Sequence, residues 1–170
     1  MNFDLPDELV AFRESAREFA RREVAPLVEE AERAERTPRD LFLAAGRAGF
    51  LGIRYPESVG GGAASCLAET ILREEIGYVC SGLGAALSVS SHLGTYPIHA
   101  FGTDEQQDRY LRGALTGEKV SAFALTEPDA GSDVRAIRTR AVRSGDGWLL
   151  NGRKTFITNA PIADFMIVVA

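Results

Sequence analysis

Gly117-Glu118-Lys119-Val120-Ser121-Ala122-Phe123-Ala124-Leu125-Thr126-Glu127-Pro128-Asp129-Ala130-Gly131-Ser132-Asp133 is the stretch on which the fold turns. Before Gly117 the apolar residues recur at helical spacing. After it they come in short runs cut by turn residues. Val120 to Leu125 predicts a strand, ended at Thr126 because Pro128 cannot continue it, with Gly131 read as allowing a tight backbone turn.

Downstream, Ile137 to Val142 predicts a second strand, and Ser144-Gly145-Asp146-Gly147 a hairpin turn into Trp148-Leu149-Leu150. Asn151-Gly152 is a further turn, leading into a strand over Lys154 to Thr158. Alternation there places Phe156 and Thr158 on one face and Ile157 on the other. Phe165 to Val169 begins a last strand with no partner visible in the sequence. An unpaired apolar edge of that kind invites aggregation, so the chain is expected to be truncated within a larger sheet domain.

Upstream, Leu9, Phe12, Ala16, Phe19, Ala20 and Val24 form the stripe of an amphipathic helix, interrupted at Pro26. The charged run Glu29 to Arg36 predicts a solvated face. Thr37-Pro38 predicts a second helix start, with threonine as the cap and its end at Ala48-Gly49-Phe50. Gly60-Gly61-Gly62 has no lysine and hydroxyl at phosphate-loop spacing and reads as a flexible turn. Helices are then expected over Ala64 to Tyr78 and Ser81 to Phe101. Thr103-Asp104-Glu105-Gln106 is a capping box, with Tyr110, Leu111 and Leu115 facing inward.

The expected fold class is therefore α+β: an all-helical bundle over residues 1–119, then the first strands of an antiparallel, barrel-like domain over 120–170. A length of 170 residues with 45% hydrophobic and 25% charged residues suits a globular chain that needs no disulfide or metal staple. A net charge of -5 argues against nucleic acid or an anionic membrane as the main partner. No apolar run is long enough to span a bilayer and no leader pattern opens the chain, so cytoplasmic residence is the default expectation. Cys66 and Cys80 read as two buried, reduced thiols. His92 and His99 stand at no ligand spacing to them, and no metal is expected.

Two segments carry the chemistry, Phe123 to Asp133 and Asn151-Gly152-Arg153-Lys154-Thr155-Phe156-Ile157-Thr158-Asn159-Ala160. The first offers backbone N–H groups and the Thr126 and Ser132 hydroxyls, donors that suit the polar edge of a flavin and a pyrophosphate. An ordinary loop whose Thr, Ser and Asp side chains cap their own backbone explains the same residues. In the second, an aromatic beside a hydroxyl can pack on a flavin ring while donating to its polar edge.

Both segments resemble signature stretches of the acyl-CoA dehydrogenase family, as do Phe101-Gly102-Thr103-Asp104-Glu105-Gln106 to Gly117-Glu118 and Tyr55-Pro56-Glu57 with the glycines after it. The resemblance runs over nearly the whole chain. It implies FAD as cofactor, lying along Phe123, Leu125, Thr126, Gly131 and Ser132, with Phe156, Ile157 and Thr158 against the ring. It also implies substrate contacts at Ser132, Val89 and Ser90. Family members often carry tryptophan at the Phe156 position; phenylalanine keeps the stacking surface and loses an N–H donor. Glu127 and Asp133 are expected to hold the loop.

The implied reaction is α,β-dehydrogenation of an acyl-CoA or acyl-carrier thioester, with an electron-transfer flavoprotein as acceptor and a homo-oligomeric assembly. The family's catalytic glutamate belongs to a C-terminal helical domain, so no catalytic residue is assigned within these 170 residues. Two other readings stand beside this one. The same fold serves flavin oxidases and monooxygenases, and a non-catalytic helical interaction module would use the bundle alone.

Overall fold

Pro6 and the acidic pair Asp7-Glu8 open the first helix: the proline lacks the N–H that a first turn leaves unpaired, and the carboxylates face the positive end of the helix dipole. The computed structural model describes residues 4–170. Helix α1 (Asp7–Phe19) buries Ala16 and Phe19, and the stripe continues to buried Ala20 and Val24 through a widened π turn, Ala20–Val24. Pro26 cannot donate to the preceding turn, and the chain there passes into a 3-10 turn, Ala25–Leu27, before α2 (Val28–Ala34) resumes. Glu35 ends α2 in the left-handed conformation, φ 49°.

Helix α3 (Arg39–Arg47) starts one residue later than the cap reading has it. Pro38 holds the extended N-cap position and Thr37 makes no cap bond. Leu41, Phe42, Ala44 and Ala45 are buried. At its exit Phe50 meets Phe12 and Phe19 edge-on, at 6.1 and 5.0 Å between ring centroids. The glycine loop that follows is tied down where the sequence suggested a flexible turn. Gly62 N–H donates to Gly52 O, Ala63 N–H to Tyr55 O and Ala64 N–H to Ile53 O. A Cβ on Gly61 would fall 2.1 Å from Tyr55 O.

Helix α4 (Cys66–Val79) is capped by Ser65, whose hydroxyl accepts from the Ala68 N–H at 3.1 Å. Cys66 and Cys80 are unpaired, and Cys66 is exposed rather than buried. The single helix expected over Ser81 to Phe101 is broken: α5 (Ser81–Ser88), a π turn Val89–Leu93, then α6 (Tyr96–Phe101) with Pro97 in its first turn. The break lets Gly94 approach β1 so closely that a Cβ there would sit 2.1 Å from Ser121 Oγ. The capping box is present as expected: Thr103 Oγ1 accepts from Gln106 N–H, and Gln106 Oε1 accepts from Thr103 N–H. From it α7 (Asp104–Gln106) runs through a π turn into α8 (Arg112–Leu115), with Leu111 and Leu115 buried.

Strand β1 (Ser121–Ala124) is nearly all buried. The hairpin β2 (Arg140–Ser144) and β3 (Gly147–Asn151) is antiparallel, with Gly145 at φ 60° in its turn. Its residues are exposed throughout. Strand β4 (Phe165–Val168), expected to lack a partner, pairs with β1, and the pairing is parallel. The described strands therefore form two separate two-stranded sheets and close no barrel.

One side chain from α3 fixes that parallel pair. Arg39 donates to Ile162 O at 2.7 Å and to Asp164 at 2.6 Å, and Asp164 accepts from Val120 N–H at 2.7 Å. The Asp164 N–H in turn donates to Val120 O at 2.8 Å. The core runs from Phe19, Leu41, Phe42, Leu72, Ile76 and Leu87 to Val120 and Ile162, so one apolar cluster joins the helices to β1.

Candidate functional site

The two segments singled out by sequence meet at the end of β1. Lys154 Nζ donates to Leu125 O at 2.8 Å and to Glu127 at 2.9 Å, and Thr155 N–H donates to Thr126 O at 3.0 Å. Glu127 is the hub of this join, with only 7% of its surface exposed. Its carboxylate also accepts from the Arg138 N–H at 2.8 Å, the Thr139 N–H at 2.9 Å and the Thr139 hydroxyl. Glu127 and Ala130 close the loop between them through reciprocal backbone bonds. Glu127 thus holds the loop, and Asp133 caps the Arg135 N–H at 3.2 Å.

The Thr139 hydroxyl, the Arg138 N–H and Lys154 bring the Glu127 carboxyl down to about 2 from its ordinary 4.5, against desolvation, which pushes it up. A depressed carboxylate contributes stability above its unfolded value and loses it as pH falls through the folded one. Urea midpoints of wild type and Glu127→Gln should therefore differ by a constant amount at neutral pH. The gap should shrink below pH 4.5 and close near pH 2. A gap that persists unchanged at pH 2 would show that the carboxylate charge is not what holds the loop.

The strand expected over Lys154 to Thr158 is absent. The chain reverses there, with Phe156 at φ 57° and Asn159 at φ 69°, both left-handed. A period of two cannot survive such a reversal, so the predicted alternation fails as geometry. Phe156 and Thr158 are nevertheless exposed and Ile157 is half-buried. Gly152, read as a turn residue, is a contact glycine: a Cβ there would fall 2.1 Å from Thr139 Oγ1. Gly131 needs no glycine backbone of its own, since its φ is not left-handed and a Cβ would meet nothing within 4 Å.

Phe123, Leu125 and Thr126 are half-buried, and Gly131 and Ser132 are exposed. Among the described residues the hydroxyls of Thr126, Ser132 and Thr158 have no hydrogen-bond partner. The same holds for the backbone N–H groups of Phe156, Ile157 and Thr158. The self-capping alternative accounts for Asp133 but not for these donors. Val89 is half-buried in the π turn. Ser90 is wholly buried, and its Oγ accepts from the Ser121 N–H at 3.1 Å. Sequence reasoning missed Lys154, Thr139 and Asn159, because their partners are 12 to 73 positions away and leave no local signal.

A separate recess of about 360 Å³, lined by Pro97, Phe101, Tyr110, Met166 and Ile167 among others, shares no residue with the candidate site. Among the described residues no group of three His, Cys, Asp or Glu side chains could hold a metal ion. Among the same residues no helix is long and apolar enough to cross a membrane.

Comparison with known proteins gives matches at both ends of the chain. Residues 6–118 match the acyl-CoA dehydrogenase N-terminal domain and residues 122–170 the acyl-CoA dehydrogenase middle domain. A 3-(aryl)acrylate reductase of Clostridium sporogenes is 42% identical over all of this chain, which spans 45% of that relative's length. A structure described as the electron transferring flavoprotein of Acidaminococcus fermentans superposes on 99% of this chain and 44% of its own, with TM-score 0.89 and 42% identity. The FAD complex of PigA superposes with TM-score 0.89 at 32% identity, over 99% of this chain and 44% of that one. The chain thus spans about half the length of the relatives it matches.

Proposed function

The chain belongs to the acyl-CoA dehydrogenase family, and from that premise we propose that it forms the flavin-facing half of an FAD-dependent oxidoreductase acting on an acyl-CoA or acyl-carrier thioester. The observation that carries this reading is Phe156. A phenylalanine is held in the left-handed conformation with 92% of its surface exposed. That backbone costs a non-glycine residue about 1–2 kcal/mol, and an exposed ring forgoes the gain of burial. Both costs are explained if a flat, apolar ligand covers the ring.

The surrounding groups fit a flavin. Phe123, Leu125, Phe156 and Ile157 offer apolar contact, while Thr126, Ser132 and Thr158 offer hydroxyls with no partner in the chain. Gly131 has open space where a side chain would stand. Bound flavin would supply the two-electron acceptor, taking hydride from the substrate β-carbon at its N5. The chain's own part is to pack the ring on Phe156, donate to its polar edge and keep water from its face. Substrate contacts are assigned to Ser132 and to Val89. Ser90, which the resemblance also implied, is wholly buried with its hydroxyl bonded to the Ser121 N–H, so it supports the turn from inside and does not touch substrate.

The α-proton needs a base, and Glu127 does not suit that role. Four donors engage its carboxylate, and a group held at about 2 has little affinity for a proton. We assign the base to residues beyond these 170, and the electron acceptor to an electron-transfer flavoprotein. A second reading, favoured by the relative named as an acrylate reductase, runs the same bond change in reverse, adding hydride and a proton across an α,β double bond. A helical module that only binds a partner would leave Phe156 and the unpartnered hydroxyls unexplained.

The test is an FAD titration of this chain and of the full-length gene product, read by flavin absorbance retained through gel filtration. Phe156→Ala should weaken flavin roughly ten- to hundredfold, the loss of roughly 1.5–3 kcal/mol of ring burial. Thr126→Val should weaken it about fivefold, the loss of one neutral hydrogen bond. The apo melting temperature of Phe156→Ala should stay at or above wild type, because the ring makes no core contact. Flavin retained by neither protein would overturn the proposal.

A further inference from the structure

Five polar side chains run through the otherwise apolar junction of the helices with β1. Tyr55, Thr95, Ser90, Ser121 and Asn159 are all buried, three of them completely. Polar groups survive burial only when they are hydrogen-bonded, and here the bonds join into one seam. Burial pushes the Tyr55 hydroxyl up to about 12, so it stays protonated; its oxygen lies 2.8 Å from Thr95 Oγ1. Thr95 Oγ1 donates to Ser90 O at 3.3 Å, and Ser90 Oγ accepts from Ser121 N–H. Asn159 ends the seam, its Nδ2 donating to Ser121 O at 3.2 Å and to Ala86 O at 2.8 Å.

Both of those partners are carbonyl oxygens, so the carboxamide can stand only one way round. The flipped amide would set its own oxygen against two acceptors. Asn159 also takes a left-handed backbone, which asparagine tolerates far better than phenylalanine. Residues 156–158 are therefore strung between a strained, exposed Phe156 and a buried, doubly bonded Asn159. Upstream the loop is held by the Thr155 N–H on Thr126 O. Downstream the anchor is Asn159: its carbonyl accepts from the Ile162 N–H at 2.9 Å, and because its Oδ1 is buried without a partner the two donor bonds are all that hold its side chain.

We propose that Asn159 is a positioning residue: its clamp on Ala86 and Ser121 sets the Phe156–Thr158 loop in the geometry that receives the flavin ring. The seam also carries that geometry to the helix turn at Val89 and Ser90, so the cofactor face and the substrate face share one frame. This proposal rests on the flavin reading above, and the test separates the two. Asn159→Gly keeps the left-handed backbone accessible and removes only the clamp.

Loop order is read without flavin from a single tryptophan at position 156 (Phe156→Trp in a Trp148→Phe background, Trp148 being the chain's one tryptophan). Adding Asn159→Gly should lower the apo anisotropy of that reporter well below its melting temperature. In the otherwise unaltered protein, Asn159→Gly should weaken FAD at least tenfold and blur the fine structure of the bound-flavin spectrum. Asn159→Asp, the same size but with carboxylate oxygens against two carbonyls, should do the same and serves if the glycine variant does not fold. A reporter that loosens only on global melting, or FAD affinity within twofold of wild type, would overturn the positioning role. A loosened reporter in a protein that binds no flavin even as wild type would support the loop clamp and sink the flavin reading.

Discussion

Replacing Gly117 by alanine is expected to lower the unfolding free energy by about 3 kcal/mol. Gly117 sits at φ 79°, and a Cβ there would fall 2.0 Å from Phe42 O, 2.4 Å from Phe42 C and 2.9 Å from Leu43 N. These neighbours are backbone and cannot swing aside. The approach is mutual, since a Cβ on Gly46 would fall 2.0 Å from Thr116 O. Overpacking of this kind costs about 1–3 kcal/mol, and the left-handed backbone adds about 1–2 kcal/mol for a residue with a side chain. In a chain of this size that is roughly 6–12 °C of melting temperature.

The comparison that isolates the contact is Gly49→Ala. Gly49 has φ 75° but nothing within 4 Å of the added atom, so only the backbone cost of about 1 kcal/mol applies. Urea unfolding of the two variants should differ by about 2 kcal/mol. If both lose the same amount, the close approach of helix α3 to the turn at Gly117 is not what the fold depends on. That approach has a consequence at the site. It sets α3 where Arg39 reaches Ile162 O and Asp164, and Asp164 pins the start of β1, whose far end carries Thr126 and Glu127.

The contrast between these glycines shows what a sequence can disclose here. Local signals were legible. The stripe from Leu9 to Val24, the Thr103–Gln106 capping box and the hairpin turn at Gly145 depend on residues within a few positions of one another, and all three are present. Gly61, Gly117 and Gly152 look like turn punctuation in sequence and Gly94 like an ordinary helix residue, yet each is needed because atoms of another segment stand about 2 Å from where a side chain would begin. The break at Gly94 splits a run that reads as one helix because the reason for it, Ser121, lies in another element. Thr126, Ser132, Phe156 and Thr158 could be named from their motifs. Their support could not, since Lys154 meets Glu127 across 27 positions and Asn159 meets Ala86 across 73.

Lys154→Met is the expected result that tests that support most severely. The ammonium group makes two bonds at the end of β1, one to the main chain at Leu125 O and one to Glu127, and its side chain is only 11% exposed. Methionine matches the length and apolar stem but donates nothing, so the change removes both bonds with little loss of packing. A bond from a charged donor contributes about 1.5–3 kcal/mol. If the Leu125–Thr126 ledge must be ordered to receive flavin, losing the Leu125 bond alone should weaken FAD roughly ten- to hundredfold.

The second loss has its own signature. Glu127 keeps its three other donors but loses its cation, so its carboxyl should titrate higher than in the wild type, and the acid limb of the stability profile should move up in pH. Glu127→Gln combined with Lys154→Met removes the unpaired charge, and should recover stability at neutral pH without recovering flavin. Recovery of both in the double variant would mean that the ion pair, and not the bond to Leu125, organises the ledge. Flavin affinity within twofold of wild type in Lys154→Met would mean that the join between the two segments is structural and has no part in holding the cofactor.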